Sequence, residues 1–592
     1  MRDRILHRGP DGNGQYDAPG VSLAACRLAI VDLDPRGLMP MASPDGRFHI
    51  VHNGEIYNRL DLRVELESRG VELRTTTDTE VLLQLYALEG PRMLDRLDGM
   101  FAFAIWDSTR RELFAARDRV GEKPFYYAIH EGRLYFASEP KALFAAGVPN
   151  AFAEETWLEL MTFRSVAGER TVYRSVQPLL PGHWLRADRN GVETQQWWRF
   201  PTEGPAPSAD SFAALLEASI ERRLIADVPV GTLLSGGLDS SAITAVASAL
   251  SSRQLAAFTV RYDGTSMDEG EFASAAARMA GVEHHEVRVP AADRPGLLAD
   301  ATWHLDEPID FPASPDLLAV SRYARKHVSV LLTGETADEL YGGYGRLRLY
   351  RYPRMVNWAG RALGPVRHRL RFGSCWARAV SSARLSKAEW IAASYADGDP
   401  KRFTSAPLSE WAPYRAASAE AAIRAYSEPV RQALAYERDT HLVSVVAQGD
   451  RMTMGAAIEA RLSFTHPALL DFAGLARTGD LFSGPHGKQP LRAAMTGRLP
   501  EIVLNRRKRG WTSPYANYLR EMPELRRWLS RVPQHEIVAA SPLGRAAARQ
   551  VADGFLGGDD RMARDAWMMG RIVLWHQVCV EGNRNPFNAR AS

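Results

Sequence analysis

A glycine-rich turn between an apolar strand and an alanine-rich helix is the feature that most constrains the fold of this chain. The strand is VPVGTLL, the turn is SGGLDSS at residues 235–241, and the helix is AITAVASAL. The strand LAAFTVRY, the helix EGEFASAAARMAG and the strand KHVSVLLTG continue the same rhythm. Strands that alternate with helices in this way predict an α/β domain with a parallel, doubly wound sheet.

The turn has the composition of a phosphate-binding loop. Its glycines let the backbone approach a ligand closely, and the free N–H groups at the start of the helix, with the serine hydroxyls, favour an anion. Asp239 can hold a magnesium ion that neutralises bound phosphates. The loop is not a Walker A motif, because GxxxxGK[ST] is absent. A generic glycine turn without a ligand is the alternative, which the order SGGLDSS and its flanks disfavour.

A second polar loop, TGETADELYGGY at residues 333–344, follows the strand VSVLL. In an open parallel sheet, ligands bind beyond the carboxyl ends of the strands, and both loops are expected at such ends. The side chains of Glu335, Asp338 and Glu339 can therefore share the magnesium ion and move protons. A solvated acidic turn is the alternative, but three acidic residues facing a phosphate cradle form one chemical set.

The length of the chain divides it into domains, because 592 residues exceed what one hydrophobic core supports. Residues 1–190 contain short strands, frequent turns and a few helices, which predicts a sheet-rich α+β or layered α/β domain. The composition changes at RFPTEGPAPSAD, and we place a linker at residues 191–210. Residues 211–592 form the second predicted domain, whose later part is rich in Ala, Arg and Leu and is predicted to be helical.

Composition excludes several classes of partner. A net charge of +3 gives no basis for attraction to nucleic acid or a membrane surface, and no apolar run approaches the length of a membrane span. The N-terminus is charged and lacks the apolar core of a signal peptide. Cys26, Cys375 and Cys579 are too far apart to indicate a disulfide framework or a cysteine zinc pattern, which fits a reducing cytoplasm.

The second domain carries a series of motifs, which are SGGLDSS, AFTVRYDGTSMDEGEFA, GETADELYGGY, DRMTM at 450–454, IEAR at 458–461, GK at 487–488 and RRKRGW at 506–511. Together they make residues from roughly 208 to 515 resemble the synthetase domain of glutamine-dependent asparagine synthetases. That family activates a carboxylate with ATP, releases pyrophosphate and lets ammonia attack the acyl-adenylate. The resemblance implies a doubly wound, adenine nucleotide α-hydrolase-like (PP-loop) domain that uses ATP and Mg²⁺.

The resemblance also implies roles for individual residues. Glu335 would lie near the reacting acyl group and help to deprotonate the attacking amine, and Lys508 would balance charge that develops on the phosphates. Asp239 and Asp338 would hold magnesium. The turn would bind pyrophosphate, and the residues at the strand ends would contact the AMP portion. The implied ATP-binding residues are Leu234, Ser235, Gly236, Gly237, Leu238, Asp239, Ser240, Ser241, Val260, Thr333 and Gly334.

The acceptor of the nitrogen stays open. The β-lactam synthetases, which share this fold, place a tyrosine at the position of Glu335, so a glutamate favours intermolecular amidation. The family's usual PFLD is replaced by SFTH at residues 463–466, and Gln448 replaces a frequent lysine; we expect both changes toward the acceptor side. Aspartate is the default acceptor. The alternatives are an amide synthetase or macrocyclase acting on another carboxylic acid, an ammonia-only enzyme, and a nucleotide- or glutamine-binding regulatory protein.

The first domain carries its own series of motifs, which are HRGPDG, RLAIVD, NGEIYN, TDTE, ARD, KP and SEPKAL. Through them residues 1–145 resemble the glutaminase domain of the same family. The resemblance implies an N-terminal-nucleophile-type α/β/β/α domain in which Arg27 pairs with the glutamine carboxylate, while Glu55 and Asp78 hold its amino group. The Asn53 side chain and the Gly54 N–H would form the oxyanion hole and act in catalysis. The implied glutamine-binding residues are Arg27, Leu28, Ala29, Ile30, Val31, Asn53, Gly54, Glu55 and Asp78.

The nucleophile of the family is a terminal cysteine on a first strand that precedes HRGPDG, and neither occurs in this sequence. Cys26 is no substitute, because it lies within a strand next to Arg27. Either the sequence starts at an internal methionine of a longer protein, or the glutaminase has lost its chemistry and free ammonia or another amine is used. We favour the first, because a clamp of unpaired polar groups costs stability. The 592-residue chain is expected to lack glutaminase activity and to expose a sheet edge.

The sequence as a whole thus predicts a cytoplasmic, ATP- and Mg²⁺-dependent ligase with small-molecule substrates. These substrates are ATP, glutamine or ammonia, and an aspartate-like carboxylate. Neither nucleic acid nor a membrane is expected as a partner, and the resemblance leaves a homodimer open.

Overall fold

The computed structural model describes residues 1–205, 207–208, 210–309, 311–353, 355–356, 358, 385–398, 403–484, 486–506, 510 and 513–587. Lys508, its neighbours at 507 and 509, Trp511 and Cys375 lie outside the described residues, so the expectations for them are not addressed by the structure.

The first part of the chain is built from antiparallel sheets. The strands are β1 Gly12–Ala18, β2 Val21–Arg27, β3 Met41–Ala42, β4 Phe48–Ile56, β5 Gly99–Asp107, β6 Glu112–Arg117, β7 Tyr126–His130, β8 Arg133–Ala137, β9 Gln177–Pro178, β10 His183–Asp188 and β11 Gly191–Gln196. Six of them form one sheet in the order β11-β10-β6-β5-β4-β3. Two smaller sheets are the hairpin of β1 and β2 and the sheet in which β7 pairs with β8 and β9.

Helices and sheets of this part form four layers. Helices Arg59–Ser68 and Asp78–Glu89 cover one face of the six-stranded sheet, and the two smaller sheets pack on its other face. On β7, Tyr127 points to that inner core while Tyr126 and Ala128 point away, as strand alternation requires. The outer face is covered by helices Pro140–Phe144 and Trp157–Phe163 and by helices from the end of the chain. The expected α/β/β/α order is therefore confirmed.

The boundary of the expected linker is corrected by the structure. Residues 191–196 form β11 and pair with β10 along its whole length, so they belong to the sheet. The stretch GVETQQ is polar, a composition that an edge strand with one solvated face shares with a linker.

The second part contains the predicted parallel sheet. Its order is β14-β13-β12-β15-β16, and all four pairings are parallel. Helices Leu238–Leu250 and Gly270–Ala280 pack on one face, and Arg294–Leu305 and Ser314–Ala324 on the other, so the doubly wound fold is confirmed. The strands are β12 Val230–Leu233, β13 Ala256–Arg261, β14 Glu283–Arg288, β15 Val330–Thr333 and β16 Glu459–Leu462.

The later part is helical, as predicted, and its last helices share one core with the first part of the chain through Trp567, Trp575, Trp157 and Tyr173. No described helix is long and apolar enough to cross a membrane. The remaining α-helices in the described part of the chain are Ser211–Arg223, Ala337–Tyr341, Leu347–Tyr350, Lys387–Tyr395, Leu408–Trp411, Pro413–Ala425, Pro429–Glu437, Val443–Met454, Pro467–Leu475, Thr478–Leu481, Gln489–Met495, Glu501–Leu504, Tyr515–Glu521, Pro523–Arg531, Glu536–Ala539, Gly544–Leu556 and Ala563–Trp575.

Candidate functional site

The two polar loops meet at the carboxyl edge of the parallel sheet. They follow β12 and β15, which are neighbours, and β12 is the strand from which the sheet order runs in opposite directions. A Cβ at Gly334 would lie 2.7 Å from the Ser240 nitrogen, so only glycine allows the loops to approach this closely. The structure thus brings the residues of both predicted motifs together.

The SGGLDSS turn is organised by its own serines. The Ser240 hydroxyl accepts a hydrogen bond from the Ser235 nitrogen at 3.1 Å and lies 3.1 Å from the Ser235 hydroxyl. Gly236 has φ +73°, where a side chain would be strained. The Ser241 hydroxyl is buried and has no hydrogen-bond partner among the described residues. Hydroxyls and N–H groups at the start of helix Leu238–Leu250 are therefore arranged as an anion cradle.

The carboxylates of Asp239 and Asp338 converge on one cationic point. The Lys488 ammonium lies 2.7 Å from both Asp239 oxygens and 2.5 Å from the nearer Asp338 oxygen. All three side chains are buried. The ammonium marks a position that two carboxylates already surround, so this donor set fits a divalent cation such as Mg²⁺.

Glu335 follows Gly334 on the second polar loop, and ionisation of its carboxyl group is disfavoured. Burial, and then the neighbouring Glu339 carboxylate, raise the pKa of Glu335 to about 8. Its Oε2 has no hydrogen-bond partner in the described part of the chain. A Cβ at Gly449 would lie 2.3 Å from that oxygen, so the glycine makes room for the carboxylate. A carboxyl group with a pKa near neutrality can accept or release a proton during a reaction.

The other expected nucleotide contacts lie at neighbouring strand ends. Leu234 directly follows β12, Thr333 is the last residue of β15, and both are buried. Val260 is half-buried on β13. The Thr333 hydroxyl has no partner among the residues that the structure describes. Leu234 is held by its carbonyl, which accepts a hydrogen bond from Thr259. These positions line the same edge as the turn.

Two cations of this site were missed as site residues in the sequence. Lys488 belongs to the GK motif, which gave no role, and its contacts to two aspartates could not be read from spacing. Arg506 donates to the Gly236 carbonyl at 3.1 Å, pairs with Glu269 and stacks on Phe272. The basic run that begins at Arg506 therefore starts against the glycine turn, and its position in RRKRGW was the available signal.

A large cavity in the first part contains the expected glutamine-binding residues. Its volume is about 1650 Å³, and it is also lined by Met454 and Glu459 from the second part. Ala29 does not line it; its nitrogen instead donates to Asp11 of HRGPDG at 2.9 Å. The expected residues that do line it are Arg27, Leu28, Ile30, Val31, Asn53, Gly54, Glu55 and Asp78.

Hydrogen-bond donors face this cavity at the expected oxyanion hole. The Asn53 amide nitrogen is buried and lacks a partner among the described residues. Gly54 has φ +144°, and a Cβ there would lie 2.0 Å from the Met100 carbonyl oxygen. The Gly54 backbone and the Asn53 amide are therefore suited to stabilise a negatively charged oxygen atom.

Two acidic side chains of the cavity repel each other. Burial, and then the Asp78 carboxylate, raise the pKa of Glu55 well above its usual range. Glu55 also lies 3.5 Å from Arg461 of the IEAR motif and 3.5 Å from Arg59. Asp78 accepts a hydrogen bond from the Ile56 nitrogen at 2.9 Å. A ligand ammonium between the two carboxylates would relieve the repulsion.

Arg27 holds a loop rather than standing free. Its guanidinium donates to the carbonyls of Asp34 at 2.9 Å, Val31 at 3.2 Å and Asp32. Cys26 is half-buried beside it, its thiol lies 3.3 Å from the Ile5 carbonyl, and burial raises the pKa of that thiol. Cys26 is therefore a protonated thiol, which agrees with its exclusion as a nucleophile.

The two sites lie on either side of a junction of buried charges. Asp450 contacts Arg8 and Lys123, which lie in the first part of the chain. Glu139 pairs with His7, Arg8 and Lys141, and Asp306 pairs with Lys141 and Arg451. Apart from Asp306, the residues of the junction come from the HRGPDG, KP, SEPKAL and DRM motifs.

Comparison with known proteins agrees with both parts. A glutamine amidotransferase domain model matches residues 1–198, and an asparagine synthase model matches residues 211–577. The chain is built as an amidotransferase domain followed by a carbon–nitrogen ligase domain. It belongs to the asparagine synthase family.

Individual relatives cover nearly the whole chain. A putative glutamine-hydrolyzing asparagine synthetase of Mycobacterium tuberculosis is 32% identical over 98% of this chain and 93% of its own. The glutamine-hydrolyzing asparagine synthetase 1 of Bacillus subtilis is 29% identical over 99% of this chain and 94% of the Bacillus protein. Amidase chyE of Penicillium rubens is 34% identical over 58% of this chain and 54% of its own.

Proposed function

We propose that the protein is an ATP-dependent amide synthetase that activates aspartate as an acyl-adenylate and amidates it with ammonia from glutamine. The observation that carries this proposal is the loop at residues 333–344, which meets the SGGLDSS anion cradle at Gly334 and carries both Asp338 and Glu335, whose pKa of about 8 suits a proton acceptor. The products would be asparagine, AMP, pyrophosphate and glutamate.

The first step is an attack of the acceptor carboxylate on the α-phosphorus of ATP. The bond to the bridging oxygen breaks, and pyrophosphate leaves. The N–H groups and hydroxyls of the SGGLDSS turn would hold the departing phosphates, with Arg506 against the turn. Mg²⁺ held by Asp239 and Asp338 would supply positive charge for the phosphates. Lys488 would then be released from the two aspartates to contact the anion.

The second step forms the amide. The nitrogen of ammonia attacks the acyl carbon, and AMP leaves with the electrons of the broken C–O bond. The attacking nitrogen loses a proton, and the Glu335 carboxylate would accept it. A base with a pKa close to the working pH accepts and releases protons most effectively. We propose Lys508 as the group that balances charge on the phosphates, as the resemblance implies.

Helix Val443–Met454 contacts both sites, which supports the proposal that ammonia passes from the first site to the second. Gly449 touches Glu335, and Met454 lines the glutaminase cavity, so one helix contacts both. Five residues of helix span about 7.5 Å. In the cavity, Arg27, Glu55 and Asp78 would bind glutamine, and Asn53 with Gly54 would stabilise the oxyanion of its hydrolysis.

Gln448 and the SFTH segment, which depart from the family's motifs, favour an acceptor other than aspartate. The Gln448 amide donates to Ser314 at 3.0 Å, one residue from Gly449, and Ser463 follows β16 beside Thr333. Thr465 instead contacts Arg223 of helix Ser211–Arg223. With the amidase-named relative, these departures favour another carboxylic acid as the alternative acceptor.

Pyrophosphate release by the purified chain with ATP and Mg²⁺ tests the proposal. Aspartate with ammonia is expected to support release and asparagine formation. Glu335→Gln is expected to slow amide formation strongly, while the exposed Glu193→Gln leaves it unchanged. Pyrophosphate release that does not depend on aspartate but depends on another carboxylic acid would establish the alternative acceptor.

We further propose that the enzyme is cytoplasmic, in line with its free Cys26 and Cys579. Mass measurement in solution tests whether it forms a homodimer.

A further inference from the structure

Two histidines and a glutamate meet in the C-terminal helical region, away from both sites. The His535 Nε2 lies 2.9 Å from the Glu581 Oε1, and the His576 Nδ1 lies 3.0 Å from the same oxygen. One ligand atom from each of the three side chains lies within 4.8 Å of the other two. Among the described residues this is the one group of three or more His, Cys, Asp or Glu side chains with such convergence.

The backbone brings His576 and Glu581 together by a change of helix type. Helix Ala563–Trp575 continues into a π-helix at His576–Val580, and the Glu581 nitrogen donates to the His576 carbonyl at 3.0 Å. In an α-helix, side chains five residues apart point about 140° away from each other. The wider π-turn places them on one side, and π-turns are frequent at functional sites.

His535 reaches the cluster from a different segment. It follows the 3₁₀ turn Val532–Gln534 and precedes helix Glu536–Ala539. Its side chain is 12% exposed and that of His576 is 9% exposed, whereas Glu581 is 39% exposed. The two nitrogens are therefore held in a packed environment, and the carboxylate leaves one side open to solvent.

We propose that His535, His576 and Glu581 bind a divalent first-row metal ion, with zinc as the preferred occupant. Two imidazole nitrogens and one carboxylate oxygen are ligands that zinc takes, and a water molecule would complete the tetrahedron. Zinc bonds of about 2.0–2.1 Å place ligand atoms roughly 3.4 Å apart. Two separations in the structure are 2.9 and 3.0 Å, and all three are within 4.8 Å, so small side-chain rotations convert the cluster into a metal site.

The ion would tie the end of the last helix to the segment around residue 535. Trp575, next to His576, donates to the Asp306 carbonyl at 2.7 Å, and Asp306 belongs to the charged junction between the two sites. Bound metal is thus expected to stabilise the core that the last helices share with the first part. This inference does not depend on the proposed acceptor or on the amide-forming reaction.

The test is the metal content of the full chain after equilibration with zinc and passage through metal-free buffer. About one equivalent is expected to remain. Cobalt(II) in place of zinc is expected to give the visible absorption of a tetrahedral site. His576→Ala is expected to lose the retained ion, and Glu581→Gln, at an exposed position, to weaken cobalt binding at least about tenfold. His130→Ala, on β7, is the matched control and should retain the ion.

Two results would overturn the proposal. One is a wild-type chain that retains no zinc and shows no cobalt spectrum. The other is equal retention by wild type, His576→Ala and Glu581→Gln, because the ion would then lie elsewhere. Asp239→Asn should retain the ion, which separates this cluster from the aspartate pair of the synthetase site. Glu581→Gln keeps the test valid if the histidine variant does not fold.

Discussion

The guanidinium of Arg8 lies 2.8 Å from the carboxylate of Asp450, a residue 442 positions further along the chain. Both side chains are buried, and burial would favour neutral groups if they were not paired. The contact joins the HRGPDG motif at the start of the chain to the DRM motif of helix Val443–Met454. HRGPDG thus links the glutaminase cavity to the helix that touches Glu335.

Removal of Arg8 is expected to weaken the junction strongly. Arg8→Met leaves Asp450 buried without its main partner, and breaking a buried pair costs about 3–5 kcal/mol. Denaturant unfolding of the variant checks this loss. Arg110→Met, whose side chain is 69% exposed, is the matched control and should change the unfolding free energy by less than about 1 kcal/mol. Equal losses in both variants would show that the junction contributes nothing specific.

The rate of amide formation is expected to rise with pH through about 8. Glu335 must be ionised to accept the proton, and its pKa is about 8. The pH profile of kcat/KM with ammonia as donor, corrected for the ionisation of ammonia, measures this. Glu335→Gln is expected to lower kcat by about 10²–10⁴ and to remove the rise of kcat/KM with pH, which is the ascending limb of the profile. A variant that keeps the limb would assign it to another group.

The same shift predicts a change in stability. The folded-state pKa of Glu335 is raised from 4.5 to about 8, so the folded protein binds the proton more tightly than the unfolded chain. The contribution of Glu335 to stability is then largest at low pH and is lost as the pH rises between about 4.5 and 8. Glu335→Gln removes this loss, and its unfolding free energy relative to wild type should increase over that range. A constant difference would contradict the shift.

The sequence predicted the framework well and its long-range contacts poorly. Alternation and glycine turns identified the parallel sheet because side-chain periodicity is local, and strand ends predicted which loops meet. Lys488 was not assigned to Asp239 because the contact spans 249 residues and no local pattern encodes it. Strand β11 lies inside the linker predicted at residues 191–210, and its polar composition does not distinguish an exposed edge strand from a linker.

Removal of Lys488 is expected to make stability depend on magnesium. Lys488→Met removes the ammonium that contacts both Asp239 and Asp338 and so increases the repulsion between the two carboxylates, which destabilises the fold. A divalent cation bound to the pair stabilises the folded state by mass action. Thermal unfolding of the variant should therefore respond to millimolar MgCl₂ more than that of wild type. Lys488→Met combined with Asp239→Asn should lose the response; a retained response would place the ion elsewhere.

Glutamine binding is expected to require Asp78. Hydrogen bonds to charged groups contribute about 1.5–3 kcal/mol, so Asp78→Asn should weaken glutamine binding by roughly 10- to 150-fold in isothermal titration. The exposed Asp95→Asn is the matched control and should bind normally. Because the Asp78 carboxylate raises the pKa of Glu55, the variant should also lower the pH at which Glu55 ionises and so shift the pH dependence of binding downward. Unchanged affinity would move the ammonium site away from the Glu55 and Asp78 pair.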